Sequence, residues 1–518
     1  MERKWWTLLA VCVGTFMLLL DVTIVTVALP DIQHGLNASF GDLQWVADAY
    51  ALSLASFLLT TGVLADMYGR RMIFSVGLVI FTLGSLLCGV AQSPVMLIVS
   101  RAAQGVGGSM MFATSLALLA HSFRGKERAV AFGAWGAVTG IATGVGPVLG
   151  GILTTDVSWR SIFLVNLPVG VIALGVTVWR VEESRAEHRP TPDWPGFVTL
   201  TVGLVGVVYG LIRASEIDWS DAGVIISLVV GGLSVLAFVV VEAKVEHPLF
   251  DLSLFRIPTF LGGSIAAFGM NGSLYALFLY LVLYLQDILG FSALQTGLRL
   301  LVVSGATFVA ASLSGRFSSR LPVRWMIGVG LLMVGGGLWW MSGLTASSGW
   351  TALVPGFILG GIGSGLVNPP LASTAVGVVP HQKSGMASGV NSTFRQIGIA
   401  AGIAVFGTLF TARLGAQLHS NLAAVPGLAG RSDQIFASIR SGEIGQVLSS
   451  APPAERGALA HAATASFVSG LNEILIVGGA LAVVAGLASL LLIRGQDFVA
   501  SHPQPDAADS RVVASAAD

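Results

Sequence analysis

Charge is what this chain has least of. Only 10% of its 518 residues are Asp, Glu, Lys or Arg, against about a quarter in soluble globular proteins. Cysteine is nearly absent too. Cys12 and Cys88 are the only two, both inside apolar runs, which excludes a disulfide framework and a cysteine zinc site. Lys and Arg balance Asp and Glu at 27 each, so no basic surface invites nucleic acid. The His residues are scattered, mostly in loops, and no His, Cys or Ser constellation points to hydrolysis. No glycine loop is followed by Lys-Ser/Thr, so direct ATP drive is not expected. The first apolar run, about 5–28, is longer than a signal-peptide core and lacks a small-residue cleavage site. The chain is therefore not expected to be an enzyme, or to need a metal or organic cofactor.

What is present is apolar surface and glycine. Hydrophobic residues make up 54% of the chain and glycines number 65; mean hydropathy is +0.82. This is an all-α polytopic membrane protein, with glycine allowing helices to pack closely in lipid. Apolar runs of near-spanning length lie at 6–28, 43–63, 72–90, 96–119, 129–153, 161–179, 195–213, 222–241, 259–285, 296–314, 325–344, 350–376, 387–411 and 467–493. Most of the 27 Lys and Arg residues fall on the side that holds Met1, so both termini are expected in the cytoplasm. The expected organisation is an N-terminal six-helix bundle (1–190), a central inserted helix pair (191–245) and a C-terminal six-helix bundle (246–495). The last carries a long outer loop at 413–466, and residues 496–518 form a disordered cytoplasmic tail.

The stretch Gly62-Val-Leu-Ala-Asp66-Met-Tyr-Gly69-Arg70-Arg71 joins two of these runs. Gly62 and Gly69 are expected to let helix ends turn and approach, and Asp66, Arg70 and Arg71 to pair at the bilayer edge. It resembles the loop between helices 2 and 3 of the major facilitator superfamily, with Met67 where a basic residue is usual. A fainter echo at 315–324 has Ser319 in place of Asp66. Two six-helix bundles plus an inserted pair resemble the fourteen-helix drug:proton antiporter branch of that family.

Further motifs carry the same resemblance. Leu20-Asp21-Val-Thr23-Ile-Val-Thr26-Val-Ala-Leu29-Pro30 is similar to the branch's helix 1, with Thr26 where Asn is common. Asp21 lies roughly 22 Å along its helix from the cytoplasmic edge. A carboxylate there needs a watery cavity or a partner, so it is either a protonatable acid or a structural one held by arginine. Trp45, Asp48 and Tyr50 resemble helix 2 of some exporters of organic cations; the alternative is an interfacial acid in an aromatic belt. Arg101 and Gln104, in Arg101-Ala-Ala-Gln104-Gly105-Val-Gly107-Gly108, resemble the helix-4 motif whose arginine is associated with proton coupling. Asp21, Asp48 and Arg101 fall at comparable depth, so Arg101 could pair with either acid in turn.

Gly144-Val-Gly146-Pro147-Val-Leu-Gly150-Gly151 looks like the antiporter motif of exporters, with Ala142 where glycine is usual. Pro147 removes a helix hydrogen bond, and the glycines admit a neighbouring helix. In the second half, Asn391 and Arg395 resemble the branch, and Arg395 needs a partner that no span acid obviously supplies. Glu473 is the one clear acid there and is either functional or structural. Tyr275, Tyr280 and Tyr284 are candidates to line a midplane cavity or simply to pack.

The resemblance implies a proton-coupled exporter of amphipathic, cationic compounds in the plasma (inner) membrane. It would act as a monomer, with protons as coupling ion and the lipid bilayer and a small molecule as partners. The alternatives are a proton-coupled uptake carrier and a non-transporting membrane sensor.

Overall fold

The computed structural model describes residues 2–123, 125–185, 193–217, 219–246, 248, 251–317, 321–379, 384–423, 432, 435–437 and 453–498. Fourteen long helices follow in chain order. They are α1 (Arg3–Leu36), α2 (Phe40–Tyr68), α3 (Arg70–Gly89), α4 (Pro94–Ser122) and α5 (Gly125–Asp156). Next come α6 (Ser161–Arg180), broken at Val165, then α7 (Trp194–Glu216), α8 (Ala222–Glu242) and α9 (Pro258–Ile288). The chain ends with α10 (Ala293–Phe317), α11 (Val323–Met341), α12 (Val354–Gly377), α13 (Ser384–Ala423) and α14 (Pro453–Leu492). Among the described residues, thirteen are long and apolar enough to cross a membrane, and α5 supplies the fourteenth at 32 residues. An even number of crossings returns the chain to its starting side, as the charge bias requires.

Local chemistry sets the turns. Asn37 takes a left-handed backbone (φ 50°) and closes α1 with a bond from its N–H to the Gln33 carbonyl. Ser39 then opens α2 in a capping box: the Asp42 N–H donates to Ser39 Oγ at 3.1 Å and the Ser39 N–H to Asp42 Oδ2 at 2.8 Å. Pro94 starts α4 at a position that needs no N–H. Asp221 opens α8 by accepting from the N–H groups of Gly223 and Val224. A hydrogen bond from Arg213 holds its partly exposed carboxyl below the usual carboxylate range.

Helices α1 to α6 pack on one another, as do α9 to α14. The bundles meet along α2 against α13, α5 against α10, and α1 against α9. The inserted pair lies over one seam. Thr408 of α13 donates to the Leu211 carbonyl at 3.0 Å, Phe57 of α2 meets Phe197 edge-on at 4.8 Å, and Ala51, Leu52, Val208, Ile212, Ala400 and Ala404 form one cluster. The outer member, α8, exposes Ile226, Leu233 and Leu236, the face expected toward lipid rather than water.

Several helices run past the bilayer. At 40 residues each, α13 and α14 are about 60 Å long, twice the hydrocarbon thickness. Their outer ends turn parts of the expected 413–466 loop into helix. Leu418, Leu422, Leu459 and Ala462 pack there as a small separate core. Hydropathy marks only the lipid-crossing part of a helix, while the hydrogen-bond ladder continues into water. The middle of that loop, the tail 499–518 and Ser319 of the 315–324 echo lie outside the described residues.

Candidate functional site

Asp21 and Arg101 meet in the middle of the N-terminal bundle. Arg101 Nη1 donates to Asp21 Oδ2, and the two side chains are 2% and 0% exposed. Such a pair is stable away from water only if the remaining polar atoms are also satisfied. Here they are. Gln104 and Asn166 donate to Asp21 Oδ1, each at 3.2 Å, and both donate to Ser85 Oγ, at 2.7 and 3.3 Å. Gln104 Oε1 accepts from Arg101 Nη1 at 2.9 Å and from the Cys88 thiol at 3.3 Å. Arg101 Nε donates to the Val46 carbonyl at 3.1 Å, and the guanidinium lies 4.3 Å from the Tyr50 ring centre. Gln104 thus belongs to this network rather than to a substrate cavity. Ser85 and Asn166 were not among the sequence candidates; both are small polar residues in apolar runs, unremarkable until five helices converge on one carboxylate.

Asp48 is brought elsewhere. Its side chain is fully buried, and neither carboxyl oxygen has a partner among the described residues. It stands one turn from Gln44, whose Nε2 crosses to the other bundle and donates to the Ile403 carbonyl at 3.1 Å and to the Tyr280 hydroxyl at 3.3 Å. Asp48 therefore lies near the α2–α13 seam. Of the two acids, Arg101 pairs only with Asp21 in this conformation.

The outer halves of the bundles are latched. Gln286 Nε2 donates to the Val27 carbonyl at 2.7 Å, tying α9 to α1. The Leu294 N–H donates to Thr155 Oγ1 at 3.1 Å, tying α10 to α5. The glycine-proline segment of α5 makes this closure possible. A Cβ on Gly146 would overlap the Thr23 side chain, and one on Gly150 would fall 2.9 Å from the Ile24 carbonyl oxygen. On the other face, a Cβ on Gly151 would come 2.6 Å from Leu294 Cα, while Gly297 packs against the Pro147 carbonyl. Glycines here let α5 touch α1 and α10 backbone to backbone.

Below the latch lies a cavity between the bundles, lined by Thr23, Thr26, Ser304, Thr307, Ser364 and Tyr275 with apolar neighbours. Its volume of about 40 Å³ has room for a few waters at about 10–15 Å³ each. This state is closed outside and tight around the midplane. Of the three candidate tyrosines, Tyr275 alone lines this cavity. Tyr280 donates to the Ile403 carbonyl at 2.7 Å and Tyr284 to the Ser348 carbonyl at 3.0 Å, so both hold backbone in place. Arg395 finds amides instead of an acid: Nη1 donates to Asn368 Oδ1 at 3.0 Å and Nε to Asn391 Oδ1 at 3.3 Å. Glu473 stands apart, paired with Arg413 at 3.4 Å, with side chains 39% and 50% exposed. It is a surface ion pair and joins neither buried group.

At the cytoplasmic face, Arg70 donates to Asp66 Oδ1 through Nε at 3.0 Å and Nη2 at 2.8 Å. Arg71 does not join them. Its backbone N–H donates to Glu183 Oε1 at 2.9 Å and that of Met72 to Oε2 at 3.2 Å, so Glu183 caps the start of α3 from the segment after α6. Gly69 has φ 127°, and a Cβ there would sit 2.6 Å from the Glu183 carboxyl carbon. Glycine is required at 69. At Gly62, by contrast, a Cβ would meet nothing within 4 Å; no close approach occurs there because the residue is well inside α2. Glu183 had no signal in the sequence, since it lies in a polar connection far from the motif it completes.

Two bundles with a cavity between them and a latch across their outer halves are the architecture of a membrane transporter. The sequence profile of the Major Facilitator Superfamily matches residues 11–403, and the chain belongs to that family. It is a multi-pass protein of the plasma membrane. It is 37% identical over 417 residues to the multidrug resistance protein Stp of Mycobacterium tuberculosis (strain CDC 1551 / Oshkosh), covering 80% of this chain and 78% of that one. It is 34% identical over 502 residues to the tetracenomycin C resistance and export protein of Streptomyces glaucescens, covering 95% and 92%. Its fold is similar to that of a bacterial homologue of the human lysosomal transporter Spinster, solved in an inward-facing and occupied conformation. That match has a TM-score of 0.62 at 19% identity, over 96% of this chain and 98% of that one.

Proposed function

We propose that this chain is a proton-coupled antiporter that exports amphipathic drugs or antibiotics from the cytoplasm, acting as a monomer. The observation that carries the coupling is Asp48. A buried carboxylate without a partner costs several kcal/mol, and a proton removes that cost. In the outside-closed state Asp48 holds a proton taken up from the outer side. Opening of the cytoplasmic half exposes it to water, where it releases the proton as cargo enters. Asp21, neutralised by Arg101, keeps the N-terminal bundle rigid through this cycle. The Asp66–Arg70 pair and the Glu183 cap hold the α2–α3 and α6 ends together at the face that must open. One proton moving down 100 mV supplies roughly 2.3 kcal/mol, enough for about a fifty-fold gradient of a neutral cargo.

The direction of transport is argued from the export and resistance names of the relatives and from the tight α5 packing. A continuous α1–α5–α10 seal lets the carrier turn over without leaking protons. The test uses inside-out vesicles with an acidified lumen. The proposal expects an amphipathic dye to accumulate inside and to leave when the gradient is collapsed. Accumulation that ignores the gradient, or that requires an alkaline lumen, contradicts it.

A further inference from the structure

The two bundles treat their membrane-embedded arginines differently. Arg101 has its carboxylate in Asp21. Arg395 has none: among the described residues it meets only the neutral oxygens of Asn368 and Asn391. A guanidinium carries five N–H donors, and these two bonds use two of them. Arg395 lies about 16 Å into α13 from Ser384 by helix rise, deep in the membrane, yet it keeps accessible surface. A charge taken from water needs a counter-charge or metal, and the described residues offer no acid within ion-pair distance.

A polar strand joins this cation to the cavity. Asn368, which accepts from Arg395 through Oδ1, donates through Nδ2 to Ser364 Oγ at 3.3 Å. Ser364 lies 3.4 Å from the Tyr275 hydroxyl. Ser364 and Tyr275 both line the interbundle cavity. The cavity itself has no charged side chain of either sign among its described lining residues. Thr23, Thr26 and Thr307 spend their hydroxyl protons on carbonyls of their own helices, so they offer lone pairs to whatever enters.

We infer that Arg395 is the charge-recognising residue for cargo, and that the cargo it selects is an aromatic amphiphile bearing an anionic group, a carboxylate or phenolate. The three unspent N–H donors match the paired oxygens of a carboxylate in bidentate fashion. The threonine oxygens accept from hydroxyl or amide donors on the rest of the molecule. This departs from the cationic cargo that the acids at 21 and 48 suggest: the first is neutralised internally, and the second is fully buried with no polar link to the cavity among the described residues, whereas Arg395, itself outside the lining, keeps accessible surface and is joined to the cavity through Asn368 and Ser364. Charged hydrogen bonds are worth about 1.5–3 kcal/mol, or roughly tenfold and upward in selectivity.

The inference rests on the exporter reading, and its test separates the two. Purified protein in vesicles is given fluorescein, an anionic xanthene, and rhodamine 6G, a cationic one of similar size. Binding is followed by fluorescence anisotropy and transport by accumulation under a pH gradient. The expected result is a preference for fluorescein that falls about tenfold or more in Arg395→Gln, mainly through KM. Arg395→Lys, which keeps the charge and loses the fork, retains part of it and serves if the glutamine variant does not fold. A wild type that carries rhodamine 6G in preference, or a glutamine variant in which both dyes weaken alike, overturns the inference and leaves the exporter reading standing. Arg395-dependent binding of fluorescein without gradient-driven transport supports the inference and overturns the exporter reading.

Discussion

Replacing Asp21 by asparagine isolates the buried pair at the centre of the N-terminal bundle. The side chain keeps its size and one acceptor oxygen, so the bonds from Gln104 and Asn166 at 3.2 Å have a partner left. What disappears is the charge opposite Arg101. The guanidinium, 2% exposed, would then rely on the Gln104 and Val46 oxygens and the Tyr50 ring. Breaking a buried pair on one side costs about 3–5 kcal/mol. Replacing both partners by apolar residues of similar volume is far milder, because no charge is stranded. The expected result is therefore strong non-additivity. Asp21→Asn and Arg101→Met each lose about 3 kcal/mol or more, while Asp21→Leu with Arg101→Met loses less than the sum of the corresponding single changes by at least about 2 kcal/mol. The assay is reversible unfolding of the purified protein in mixed micelles at increasing denaturing detergent, run as a double-mutant cycle. Losses below about 1 kcal/mol for the single changes, or simple addition in the double, would refute the structural role given to this pair.

Other expectations follow from the same contacts. Gly69→Ala forces an L side chain into φ 127° against the Glu183 carboxyl; transport should fall several-fold, with Glu183→Ala alone giving a smaller loss, and equal rates in the Gly69 variant and wild type would contradict the requirement. Gly146→Val should separate α5 from α1 and raise proton leak in vesicles without cargo, read with a pH-sensitive dye, whereas an unchanged leak would remove the seal from the account. Cysteines at Thr155 and Leu294, whose backbone and side chain meet at 3.1 Å, should cross-link under oxidant and stop transport until reduced. Free turnover in the cross-linked protein would mean that this contact does not open during the cycle.

Much of the fold was legible because lipid imposes a simple rule. Each crossing must be apolar for about 20 residues, and such runs located the helices to within a turn in most cases. The motif glycines were legible as well, since Gly146, Gly150 and Gly151 can only mean close packing when they recur beside Pro147 on one helix. What stayed hidden depends on how helices are rotated against one another. Nothing in the spacing of Asp21, Asp48 and Arg101 says which acid faces the arginine; the rotation of α2 turns Asp48 away with Gln44, toward α13. Glu183, through two bonds, and Gln286, through one, act on distant backbone, which leaves no local pattern. Tyr275 and Tyr280 sit five residues apart on α9, which at about 100° per residue puts them on different sides of the helix, so one lines the cavity and the other bonds the Ile403 carbonyl.

Asp48→Asn tests the central claim most directly. Asparagine has nearly the same shape, fills the same buried space and cannot exchange a proton. In vesicles with an acid lumen the variant should bind cargo and exchange it between two equal pools at close to the normal rate, yet build no gradient of it. Uphill accumulation by Asp48→Asn at the wild-type level would contradict the assignment of this buried, partnerless carboxyl as the coupling group.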